Sequence, residues 1–127
     1  MKITTFNPQI VSREPENIIR LFEELGFERH HIKEGIGKLN ITSTRMKDPN
    51  GFYLDVSHAD VGQEKDTVTI RMNVDHFDEA YQTLLSHGFI NRFEGRIAET
   101  GSSRNAVMVS PSGFIITLIQ HIRHEDR

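Results

Sequence analysis

From Ile3 to Ser12 the chain alternates, with Phe6, Pro8 and Ile10 on one side and Thr5, Asn7 and Gln9 on the other. A period of two predicts a half-buried strand with its apolar side under a helix. Pro8 has no N–H for a ladder and predicts an edge or bulged position. Ser12 reads as a cap before Pro15 in a first helical turn, and Ile18, Ile19, Phe22 and Leu25 form an apolar stripe that stops at Gly26. Strand-like stretches follow near 27–33, 38–46 and 52–57, separated by turns at Gly35 and Gly37 and at Asp48-Pro-Asn-Gly51. The order is βαβββ.

It then begins again. Val68, Ile70, Met72 and Val74 alternate with Thr69, Arg71 and Asn73, Asp75 is placed to cap a helix, and Phe77, Ala80, Tyr81, Leu84 and Leu85 give an amphipathic stripe that ends at Gly88. Stretches 89–97, 105–109 and 113–121 read as three more strands. Met46-Lys-Asp-Pro-Asn-Gly-Phe52 recurs as Met108-Val-Ser-Pro-Ser-Gly-Phe114, and Leu25-Gly-Phe27 as His87-Gly-Phe89, both 62 positions on (46 to 108, 26 to 88). A fixed offset marks a repeated supersecondary unit. The division expected is one domain of two modules, about 1–58 and about 67–121, with a connector at 59–66 and a charged tail at 122–127.

Composition narrows the chemistry. With no cysteine there is neither disulfide nor thiolate nor Cys-ligated zinc. The 15 Lys and Arg are scattered among 18 acids, for a net charge of −3, so the basic footprint of a nucleic-acid binder is missing. No run approaches the ~20 apolar residues of a membrane span, and the first residues lack a signal-peptide pattern. A cytoplasmic protein with a small-molecule partner, and neither nucleic acid nor membrane, is the expectation.

The paired βαβββ pattern, the helix endings at Gly26 and Gly88, and the turns Asp48-Pro-Asn-Gly51 and Ser110-Pro-Ser-Gly113 together resemble the vicinal oxygen chelate superfamily, which includes glyoxalase I, extradiol dioxygenases and bleomycin-resistance proteins. The resemblance covers nearly the whole chain. It implies an α+β fold in which two βαβββ modules form a curved, open half-barrel sheet with helices outside, commonly completed in a homodimer.

In the superfamily's metal-dependent members, His or Gln on a module's first strand and Glu on its last bind a first-row metal. By resemblance those positions fall here on Asn7, Asp55, Thr69 and Thr117. Only Asp55 is an ordinary ligand, since neutral amides are weak donors and threonine hydroxyls rarely serve without deprotonation. No metal or other cofactor is therefore expected. None of His30, His31, His58, His76, His87, His121 and His124 occupies a first-strand ligand position. His30 and His31 are neighbours on a strand and point to opposite sides; His58 reads as a loop residue; His76 and His87 sit at helix ends, where capping or the dipole accounts for them. His121 shares the parity of Thr117 and reads either as an acid/base at a pocket mouth with Asp55 or as a frayed strand end.

The inner faces carry the remaining signal. Gln9, Tyr53, Asp55, Ser57, Arg71, Asn73 and Thr117 project to one cavity along with Ile115 and Ile119 if the parity holds, a lining suited to a small polar or amphipathic molecule. Arg71 offers a planar fork for a carboxylate or phosphate, or pairs with Asp55. Tyr53 either stacks on a ligand or packs in the sheet. The Gly101-Ser-Ser-Arg-Asn105 segment, with Arg104, reads as a hairpin turn or as an anion-attracting loop. The function expected is a glyoxalase/bleomycin-resistance-like protein that binds and sequesters a small molecule without metal. The alternative is a divalent-metal-dependent lyase, isomerase or dioxygenase.

Overall fold

The computed structural model describes residues 1–36, 41–59, 65–93, 95–99 and 102–122, and of 31–36, 41 and 98 the backbone only. It is α+β, with a βαβββ series followed in chain order by a βαββββ series. By contacts it divides into an N-terminal unit, Asn7–Thr69, and a C-terminal unit made of Met1–Phe6 with Ile70–Arg127. Among the described residues no helix is long and apolar enough to cross a membrane. The tail 123–127, with His124, lies outside the described residues.

The N-terminal unit takes β1 (Ile3–Ser12) from Asn7 onward, followed by α1 (Pro15–Glu24), β2 (Glu28–Ile36), β3 (Ile41–Lys47) and β4 (Tyr53–His58). The sheet order is β2-β3-β4-β1, antiparallel except for β1 beside β4. Gln9 to Ser12 pair with Asp55 to His58, so the ladder starts just after Pro8. Ile10, Met46, Leu54 and Val56 meet Ile18, Ile19, Phe22 and Phe27 from the helix side. Strand parity then sends Asp55 and Ser57 to the opposite face. The apolar side of β1 is covered only in part: Ile10 joins the core, but Phe6 is 62% exposed, while the polar Asn7 and Gln9 are buried. That reverses the burial expected from alternation, because both amides find hydrogen-bonding partners on β4.

The C-terminal unit takes β5 (Thr67–Val74) from Ile70 onward, which leads into α2 (Phe77–Ser86), then β6 (Ile90–Asn91), β7 (Ala98–Glu99), β8 (Ser103–Val109) and β9 (Ile115–His121). The order is β5-β9-β8-β6, with β7 also on β8. Its core of Met72, Val74, Phe77, Ala80, Ala106, Met108, Ile116 and Leu118 reproduces the first core across the offset, Met46 with Met108 and Val56 with Leu118.

The shared punctuation has shared hydrogen bonds. Phe27 N–H donates to Phe22 O and Gly26 N–H to Glu23 O; Phe89 and Gly88 do the same to Leu84 and Leu85. This is the Schellman ending, which requires positive φ at Gly26 (108°) and Gly88 (86°). Both proline turns close alike, Asp48 N–H donating to Phe52 O and Ser110 N–H to Phe114 O.

Three expectations change. Neither helix has a side-chain N-cap from its own sequence: the caps are Glu14 and His76, Ser12 Oγ accepts the Glu14 N–H instead, and Asp75 accepts the Lys2 N–H. The helices start by different means. Pro15 has no N–H to satisfy, whereas the N–H of its counterpart Phe77 donates to Gln120 Oε1 at 2.7 Å, and Gln120 Nε2 donates to Asp75 O at 2.8 Å. Of the single strand expected over 89–97, the described residues keep Ile90–Asn91, with a second short strand at Ala98–Glu99, because Asn91 bonds locally: its Oδ1 accepts the Phe93 N–H and its Nδ2 donates to Arg96 O, closing a turn in place of a ladder. Finally, Ser103, Arg104 and Asn105 belong to β8 rather than to a loop, and Gly101 lies outside the described residues.

Candidate functional site

The side of the N-terminal sheet away from α1 is a continuous polar surface. β3 and β4 pair Arg45 with Asp55, Lys47 with Tyr53 and Ser43 with Ser57, and β1 adds Asn7 and Gln9. Asp55 is fully buried. Its Oδ2 accepts from Asn7 Nδ2 at 2.7 Å and from Arg45 Nη1 at 2.8 Å, so the buried negative charge has a charged partner and a neutral donor. Asn7 Nδ2 also donates to Pro8 O, and its Oδ1 faces Arg45 Nη1 at 3.5 Å. One step along, Thr69 Oγ1 donates to Gln9 Oε1, Gln9 Nε2 to Ser57 Oγ, and Ser57 Oγ to Ser43 Oγ at 3.2 Å. Among the described residues no buried side-chain nitrogen or oxygen lacks a partner. A fully satisfied polar floor holds its members in one geometry.

Tyr53 sits at the margin of this floor. Arg45 lies over its ring, with the guanidinium carbon 4.0 Å from the centroid, Lys47 Nζ is 5.3 Å away, and His30 meets it edge-on at 6.2 Å. The tyrosine therefore packs, and it orients Arg45 through cation–π contact. His30 is exposed, next to a β2 register irregularity between Arg29 and His31. The side chain of His31 lies outside the described residues.

Arg45 and Lys47 were not singled out from sequence, though the signal was present. Once the Asp48–Phe52 hydrogen bond closes the hairpin, counting back along both arms puts Lys47 opposite Tyr53 and Arg45 opposite Asp55. Asn7, Gln9, Tyr53, Asp55, Ser57 and Thr69, all expected in the lining or at ligand positions, belong to this unit. Arg71, Asn73 and Thr117 belong to the C-terminal unit, where Arg71 pairs with Thr117 and Asn73 with Ile119 in the β5–β9 register and Arg71 Nε donates to Asn73 Oδ1. His121 is an exposed strand residue opposite Ser103, and His58 ends β4 instead of lying in a loop. Arg104 pairs with Asp78 and Glu99 and covers the Phe77 ring, which binds it to its own unit rather than to an anion.

The residues at the superfamily's ligand positions do not fit a divalent metal. In the N-terminal unit the only carboxylate among them already accepts from a guanidinium, whose charge would repel a cation, and the amide and hydroxyl donors are engaged. Among the described residues no three His, Cys, Asp or Glu side chains gather at one point. Elsewhere in the unit, an open cleft of about 350 Å³ lies at the start of α1, lined by Ser12, Arg13, Glu14, Asn17, Lys65 and Asp66. Its two cations and two carboxylates are all exposed and balance in charge.

Comparison of the whole chain with known structures settles the architecture. The methylmalonyl-CoA epimerase of Mycobacterium tuberculosis superposes with a TM-score of 0.68 over 98% of this chain and 92% of its own, at 14% identity. A glyoxalase/bleomycin resistance protein/dioxygenase superfamily member from Vibrio splendidus 12B01 gives 0.62 over 94% and 99%, at 11% identity. The chain has the vicinal oxygen chelate fold. A variant of the Streptomyces coelicolor methylmalonyl-CoA epimerase, in complex with 2-nitronate-propionyl-CoA, shares that fold at a TM-score of 0.62 and 12% identity, over 96% of this chain and 100% of its own. No family model and no curated protein sequence matches the chain. At these identities the likeness is one of fold, and function has to be argued from the site.

Proposed function

We propose that this is a metal-independent small-molecule-binding protein with the vicinal oxygen chelate fold, which holds a small polar or amphipathic ligand on the polar face of its N-terminal unit and does not turn it over. The observation that carries this is the state of Asp55: the one carboxylate at a superfamily ligand position is buried and hydrogen-bonded to Arg45 and Asn7. Around it lies a preorganised floor with a cationic margin, which suits recognition. We also propose that the working form is a homodimer, as the fold resemblance suggests; a monomer in sedimentation at micromolar concentration would remove that part.

The test is metal stoichiometry after incubation with Mn, Fe, Co, Ni or Zn and desalting. No retained metal is expected. Retention of one ion per chain that Asp55→Ala abolishes would replace this reading with a metal-dependent lyase, isomerase or dioxygenase. A ligand that binds only the folded state raises Tm. CoA thioesters belong first in such a screen, because one protein of this fold binds 2-nitronate-propionyl-CoA.

A further inference from the structure

We infer that Arg45 and Lys47 form an anion subsite, which takes a carboxylate or phosphoryl group of the ligand at the Tyr53 margin of the polar floor. The inference rests on the small-molecule reading above and names the ligand's chemistry. Arg45 uses one nitrogen, Nη1, on Asp55 and Asn7. Among the described residues Nε and Nη2 meet no acceptor, and the side chain is 18% exposed, so the paired-donor edge of the guanidinium is open to a bound molecule. That edge matches two oxygens of one planar anion. Asp55, wholly buried, and the Tyr53 ring fix the guanidinium in place beforehand, so little ordering is left for binding.

Lys47 supplies the second charge. It is two residues along β3 from Arg45 and so on the same face, its Nζ shares the Tyr53 ring with Arg45, and among the described residues it has no carboxylate within ion-pair distance. Among the described residues two cations thus stand around one ring, with Asp55 paired to Arg45, an excess of positive charge on a chain whose net charge is −3. The repeat argues that the framework does not require this. Across the offset of 62, Arg45, Lys47 and Tyr53 correspond to Val107, Val109 and Ile115, on strands paired in the same register.

The experiment is an amide-detected NMR titration with benzoate, phenyl phosphate and neutral benzamide. Saturable shifts at Arg45, Lys47 and Tyr53 are expected from the anions, about tenfold tighter than any from benzamide. Lys47→Gln should weaken the anions about threefold, as for a partly exposed charge. Arg45→Lys keeps the charge facing Asp55 but loses the fork, and should cost benzoate more than phenyl phosphate. A greater loss for phenyl phosphate assigns the fork to phosphoryl oxygens. Equal binding of benzamide and benzoate, unchanged by Lys47→Gln, would overturn the subsite while leaving a small-molecule face in place. No shift on this face from any of the three would overturn both.

Discussion

Position for position across the offset of 62, the two units agree where the fold makes demands and part where it does not. Met46 and Met108 are both fully buried, Gly26 and Gly88 both close a helix with positive φ, and Asp48 and Ser110 both accept the backbone N–H groups of their turns. On the face away from the helix, Arg45, Lys47, Tyr53 and Asp55 stand where the C-terminal unit has Val107, Val109, Ile115 and Thr117. A buried methionine, a left-handed glycine and a turn acceptor answer needs of the backbone and core. A buried aspartate under an arginine answers none of them, and a buried ion pair is weak as a stabilising device. That difference is what the site proposed on the N-terminal face rests on.

The largest test of the comparison is in the cores. Met46→Ala and Met108→Ala should each cost about 2–5 kcal/mol, within about 1 kcal/mol of one another, by urea denaturation. A large gap would break the equivalence. Next comes the divergent face: Asp55→Ala strands Arg45 and Asn7 and should cost about 3 kcal/mol, while Thr117→Val should cost about 1 kcal/mol. At the helix ends, Gly26→Ala forces a side chain into positive φ with open space around it, for about 1 kcal/mol. Gly88→Ala adds a Cβ 2.9 Å from Pro111 Cγ and should cost about twice that.

The smallest effect is one of pH. The Lys2 N–H, and after it His76, hold the Asp75 carboxyl at about 2, below its ordinary 3.8. A carboxylate with a depressed folded-state pKa contributes stability that is full above its unfolded value and lost as pH falls through the folded one. Asp75→Asn should therefore flatten the decline of Tm between about pH 4 and pH 2, while Arg13→Ala, at the counterpart position, should leave it unchanged.

Much of the framework was legible because it is local. The period-two alternation put Gln9, Asp55 and Ser57 on one face, as their hydrogen bonds require, and Gly26 and Gly88 marked helix ends that only a residue without Cβ adopts easily. What was not legible depended on partners distant in sequence. Gln120 caps α2 from 43 residues away, a span over which no capping pattern operates. Arg45 became visible as the partner of Asp55 only with the β3–β4 register. The strand expected over 89–97 broke because the local bonds of Asn91 outcompeted a ladder, a contest that periodicity does not register.

The sequence by itself determined the repeat, the order of elements in the first module, the two glycine-ended helices and the alternation of faces along the strands, since these follow from periods of 3.6 and 2 and from backbone sterics. Tertiary structure decided which polar groups share that face, and so the site's charge. Pairing brings together Asn7, Arg45 and Asp55 from three strands, and burial then makes the carboxylate keep its arginine.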